Sequence, residues 1–148
     1  GDRPGSSDFG IFGQLTQLAQ TDPTCRDLTL DVAPRVFAWC DNVEDLSGLE
    51  PKESDWIESD QIPGTLSEIF KEIGRTYAPF LLANAEAVAE GKEEWESEID
   101  GKLWKQMTFV YQAKCLTWIR EEFGKLDDEQ KSKVLQLFEG SGCEVLIN

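Results

Sequence analysis

Apolar residues recur at three- and four-residue steps through almost the whole chain, a period that admits helices and little else. Ile11, Phe12, Leu15, Leu18 and Ala19 follow it between Asp8 and about Thr21. Val32, Val36, Trp39, Cys40, Val43 and Leu46 follow it in the next segment. The longest stripe runs through Leu66, Ile69, Phe70, Ile73, Tyr77, Phe80, Leu81 and Val88. Phe109, Tyr111, Cys115, Leu116, Trp118, Ile119 and Phe123 leave so little polar circumference that their helix is expected to be nearly surrounded. The period switches once. Trp95, Ser97 and Ile99 alternate with charged residues, Asp100-Gly101 follows, and Leu103 resumes on the other side, which predicts a hairpin over about 93–107. The expected fold is an all-α helical bundle with one small β-hairpin, in a single domain over 1–148.

Local signals place the boundaries. Asp22-Pro23-Thr24 breaks the first helix, and Thr29 or Asp31 is expected to cap the next, with Pro34 in its first turn. Gly10 and Gly13 cost helix propensity and suggest a close backbone approach. Ser47 to Pro63 reads as an acidic linker carrying Glu50, Glu53, Asp55, Glu58 and Asp60, pinned by Trp56-Ile57. Thr65-Leu66-Ser67-Glu68 has the form of a capping box, Pro79 is expected to bend the helix it starts, and Gly91 to end it. Thr108 is expected to cap the penultimate helix. The last runs from Asp127 to about Glu139 with Gln130 completing its start, and Gly140 and Gly142 stop it ahead of an apolar tail, Cys143 to Ile147.

Composition removes several function classes. With 14 basic against 29 acidic residues in 148, the net charge is −15, which repels phosphate backbones and anionic lipid. No apolar run is long enough for a membrane span. Histidine is absent, so His-based nucleophile pairs, His-ligated metals and His general bases are excluded. The linker carboxylates lack EF-hand spacing. Cys25, Cys40, Cys115 and Cys143 match no zinc spacing and read as reduced thiols in a cytoplasmic protein. Gly1 is not an initiator residue, which implies a processed or recombinant start. No catalytic or metal residue is assigned.

Ser6-Ser7-Asp8-Phe9, followed by Ala33-Pro34-Arg35-Val36-Phe37-Ala38-Trp39, resembles the middle of the helical C-terminal domain of glutathione S-transferases. Phe109-Val110-Tyr111-Gln112-Ala113-Lys114-Cys115-Leu116, Arg120-Glu121-Glu122-Phe123 and Gly142-Cys143-Glu144 resemble a bacterial branch of that family. The hairpin is not part of the common family plan. In that family a Ser or Thr usually stands three residues before the Asp. Here Gly5 takes that position, and the resemblance implies a structural capping role for Asp8. It also implies a thioredoxin-like domain and the first C-domain helices upstream of Gly1, a homodimer or that missing domain as partner, and a small hydrophobic electrophile as substrate. Glutathione would be the co-substrate of the whole protein, with none bound to this chain alone.

Two functions compete. One is the substrate-binding region of such a transferase, inactive by itself, with Tyr77, Phe80, Asn84, Tyr111 and Lys114 as candidate pocket residues. They combine aromatic walls with a few polar groups, the usual make-up of a small-molecule site. Each also has a plainer reading: aromatic residues in a core, a bend that wraps it, and a lysine that pairs with one of many carboxylates. The other function is a non-catalytic interaction module, using the hairpin near Trp95 to Trp104 and the tail Val145-Leu146-Ile147.

Overall fold

The computed structural model describes residues 3–58 and 61–148. Gly1, and Asp60 of the acidic linker, lie outside the described residues. The chain is mostly helical with one two-stranded antiparallel sheet. It falls into two compact units, meeting in sequence at Glu58 and Ser59.

The N-terminal unit holds α1 (Ser6–Leu15), α2 (Pro23–Val32) and α3 (Pro34–Glu44). Gly5 caps α1, and its N–H donates to the Asp8 carboxylate at 2.8 Å, so Asp8 closes the helix start. Beyond Leu15 the chain widens into a π-turn, Thr16–Thr21, closed by the Asp22 N–H on the Gln17 carbonyl at 2.9 Å. Asp22 does more than break a helix. Its carboxylate accepts the Cys25 N–H at 2.7 Å, which makes it the cap of α2 with Pro23 at the first position. The expected caps Thr29 and Asp31 are inside that helix, and α3 starts from Ala33 without a side-chain cap. Ala19 and Cys40 are fully buried here, and Phe12 meets Trp39 edge-on at 6.5 Å. A Cβ built on Gly10 or Gly13 would touch nothing, so no backbone approaches either glycine. In the linker Trp56 lies under the Arg3 guanidinium, 4.3 Å from ring centre to carbon.

The C-terminal unit begins with α4 (Gly64–Glu72) and continues through a π-turn, Ile73–Tyr77, into α5 (Ala78–Ala89). Pro63 precedes α4, so the Thr65 box does not form, and Glu68 pairs with Lys71 at 2.7 Å instead. Both π-turns have one cause. Asp22 and Ala78 each stand before a proline, and each donates to a carbonyl five residues back. Proline lacks the next donor and its ring crowds the carbonyl four residues earlier, and the wider turn relieves both. Gly91 ends α5 at φ +69°: its N–H reaches Val88 and the Lys92 N–H reaches Ala87, the Schellman pair.

Strands β1 (Glu94–Ile99) and β2 (Lys102–Met107) pair with Ile99 opposite Lys102 and Trp95 opposite Gln106. Asp100 and Gly101 both adopt positive φ, as a two-residue type I′ turn demands. Then come α6 (Val110–Gly124), α7 (Asp128–Phe138) and a 3₁₀ turn, Cys143–Leu146. Asp127 and Gln130 form the capping box of α7. Thr108 does not cap α6: its hydroxyl donates back to the Lys92 and Glu93 carbonyls, tying the hairpin base together. Ala78, Leu81, Leu116 and Leu146 form the core, with Ile73, Leu82, Ala85 and Ile119 against it. The C-terminal turn crosses the π-turn where Gly142 meets Gly74, and a Cβ on Gly74 would stand 2.8 Å from the Gly142 backbone.

Candidate functional site

Asn84 is completely buried on α5, and every polar atom of its amide is committed. Its Nδ2 donates to the Phe109 carbonyl at 2.9 Å. Its Oδ1 accepts the Phe109 N–H at 2.8 Å and the Trp95 indole N–H at 3.2 Å. One side chain therefore joins α5, the hairpin and the residue that leads into α6. Both heteroatoms of the amide are engaged and the residue is fully buried, so no ligand reaches it, and the expected pocket role gives way to a structural one.

The other candidate residues do not converge on one cavity. Tyr77 stacks on Phe80 at 6.3 Å, and Phe80 meets Trp95 and Trp104 edge-on at 5.3 and 6.0 Å. Tyr77 also lines a shallow hollow with Ile69 and Ile73 that includes none of the other four. Partial burial, with Cys115 adding to it, pushes the Tyr77 phenol above its ordinary value, so it stays a neutral hydroxyl at physiological pH. Tyr111 is exposed on α6, between Phe109 at 6.2 Å and Trp118 at 5.7 Å. Lys114 is exposed on the same helix. The helix expected to be nearly surrounded buries only Leu116 fully, and it leaves Val110, Tyr111 and Trp118 open.

The cavity that stands out chemically lies elsewhere, between α6, α7 and the chain end. It is an open groove of about 560 Å³ walled by Cys115, Trp118, Ile119, Phe123, Val134 and Phe138. Its one acid, Glu122, is held by Lys125. The apolar stripe of α6 was visible in the sequence; its failure to be covered was not. A second concavity, of about 310 Å³ beside α5 and β1, is lined by Glu86, Glu90, Glu94 and Glu96, with Lys92 and Lys105 already paired to Glu90 and Glu94.

All four cysteines are free thiols. The Asp22 carboxylate holds the Cys25 thiol above its ordinary value, and burial does the same for Cys40, so both resist forming the reactive thiolate. Among the described residues no group of three or more Cys, Asp or Glu side chains is arranged to hold a metal ion. No described helix is long and apolar enough to cross a membrane. No protein-family model, curated protein or solved structure matches this chain.

Proposed function

We propose that the chain is the helical substrate-binding region of a glutathione S-transferase-like protein, and that the α6–α7 groove receives an uncharged hydrophobic small molecule. The observation that carries this reading is the groove itself. Its volume falls within the range of small-molecule sites, roughly 300–1,000 Å³, and its walls are almost wholly apolar. The only carboxylate present is neutralised by Lys125, so a charged ligand finds no free counter-charge there. Activation of a thiol would fall to a thioredoxin-like partner domain, with glutathione as co-substrate. The chain alone is then a binding surface without turnover.

The test is titration with Nile red, a neutral apolar dye that the net charge of −15 does not repel. Saturable fluorescence enhancement is expected, weakened about tenfold in Trp118→Ala and unchanged in Ile69→Ala. Dye binding that ignores Trp118→Ala would refute the assignment. A non-catalytic interaction module is the second reading, favoured by Leu103 and Met107 standing outward from β2. Binding of a protein partner that is lost in Trp104→Ala but retained in Tyr77→Ala would support it.

A further inference from the structure

The N-terminal unit carries an open concavity of about 350 Å³ between the start of α1, α3 and the segment that follows α3. Trp39, Leu46 and Leu49 give it an apolar wall, and Arg3, Asp8 and Asn42 give it polar groups. Arg3 is held from outside the concavity. Its guanidinium lies 4.3 Å from the centre of the Trp56 ring, and its Nη1 donates to the Lys52 carbonyl at 3.4 Å. The same Nη1 makes a loose pair with Glu53, at 3.6 Å to a carboxylate that is 93% exposed. The Nε–Nη2 edge of the fork is therefore spare, and the Nε is buried with no hydrogen-bond partner among the described residues. A buried donor on a permanent cation is costly to leave unsatisfied and calls for an acceptor. On the other side, one Asp8 oxygen accepts the Gly5 N–H at 2.8 Å, and the second oxygen accepts nothing among the described residues. No ion pair joins Arg3 to Asp8, although both line the concavity. Opposite charges that share a concavity without meeting suit a ligand that carries both signs itself.

We propose that this concavity binds a zwitterionic α-amino acid with an apolar side chain. The carboxylate lies on Arg3, the ammonium on Asp8, and the side chain against Trp39, Leu46 and Leu49. A carboxylate seated on the spare edge of the fork supplies the acceptor that the Nε lacks, in the bidentate geometry that arginine favours. Charge selects the zwitterion over its simpler relatives. A plain carboxylic acid would bring a second anion to Asp8, in a chain of net charge −15. A plain amine would set its cation beside Arg3. The zwitterion adds no net charge and meets both groups with the opposite sign. The concavity is at the lower end of the range of small-molecule sites, roughly 300–1,000 Å³, which fits a single amino acid. Trp56 also rests against Gly5, where a Cβ would stand 3.2 Å from its ring, so the segment between Arg3 and Asp8 is braced before any ligand arrives.

Titration calorimetry of the whole chain with L-leucine should show one site with a Kd of about 0.1 mM. Isocaproate, which lacks the ammonium, and isoamylamine, which lacks the carboxylate, should each bind about tenfold more weakly. These comparisons need no variant. Asp8→Asn keeps an acceptor for the Gly5 N–H, so the start of α1 survives, but it removes the charge that meets the ammonium. It should weaken leucine about tenfold and leave isocaproate unchanged, whereas a purely structural role for Asp8 would move both alike. Arg3→Gln should weaken leucine and isocaproate about tenfold and spare isoamylamine. The concavity and the α6–α7 groove share no residue, so Trp118→Ala should not alter leucine binding, and either assignment can fail without the other. Absence of saturation up to about 10 mM leucine overturns the inference. So does isocaproate binding as tightly as leucine, or an Asp8→Asn chain in which both ligands are weakened equally.

Discussion

Replacing Asn84 with alanine removes the amide that holds Phe109 and Trp95, and the structure sets the size of the effect. The Phe109 N–H, the Phe109 carbonyl and the Trp95 indole N–H each lose a partner at 2.8, 2.9 and 3.2 Å. Asn84 and Trp95 are buried, so bulk water does not compensate freely. An orphaned buried polar group costs about 1–3 kcal/mol. The Trp95 N–H is buried and counts in full, while the two Phe109 groups are partly buried and within reach of water, which gives about 2–4 kcal/mol. Urea unfolding followed by tryptophan fluorescence measures this, and the Trp95 signal lies at the site itself. A loss below about 1 kcal/mol would refute the reasoning, since it would mean that the three bonds are dispensable or readily rehydrated.

Asn84→Asp gives a sharper form of the same test. It keeps an acceptor for the two N–H groups, but only its protonated form can donate to the Phe109 carbonyl. Burial against that carbonyl raises the folded pKa above the unfolded value of about 3.9. The folded state then binds more protons, so the stability of the variant relative to wild type is highest below about pH 4 and falls as pH rises through the folded pKa. Wild type has no such trend at this position.

Two further outcomes are expected. Gly74→Ala should lower stability by about 2–4 kcal/mol in the same assay, because its Cβ would collide with the backbone of Ser141 and Gly142, which cannot rotate away; an unchanged midpoint would mean that the C-terminal turn does not rest there. Hydrogen bonding from Arg75 holds the Asp100 carboxyl below its ordinary 3.8, so its contribution is present above that pH and lost as pH falls through the folded value. Asp100→Asn should accordingly flatten the acid limb of the stability profile, more clearly at low salt because the pair is half exposed, and an identical acid limb in the variant would count against the pairing.

The elements legible in the sequence are those whose cause lies within a few residues. The hairpin follows from alternation around two residues that accept positive φ, the start of α7 from Asp127 and Gln130, and the end of α5 from Gly91. The Gly5–Asp8 cap belongs with them. The signals that misled were local motifs with a competitor. Thr65 and Thr108 have capping chemistry, but the helix in one case starts a residue earlier, after Pro63, and the hydroxyl in the other is captured by the far end of the hairpin. The π-turns escape apolar spacing because each adds one residue to a single turn, a local slip that a pattern of mixed three- and four-residue steps absorbs, although Asp22-Pro23 and Ala78-Pro79 mark both places.

Periodicity says which side of a helix is apolar and nothing about what will cover it. That is why α6 read as enclosed and is open, and why the groove emerged only with α7 and the chain end in place. Asn84 is the same lesson for a polar group. A lone asparagine on an apolar stripe serves a pocket or a keystone equally well in sequence. The choice is made by Phe109, 25 residues away, and Trp95, 11 residues away, whose positions relative to α5 depend on the whole unit. By itself the sequence determined a mostly helical chain with one hairpin and no histidine chemistry, because those depend on near neighbours and residue type. Only tertiary structure decided which faces are buried and which amide is satisfied, because burial and hydrogen bonding depend on groups far apart in the chain.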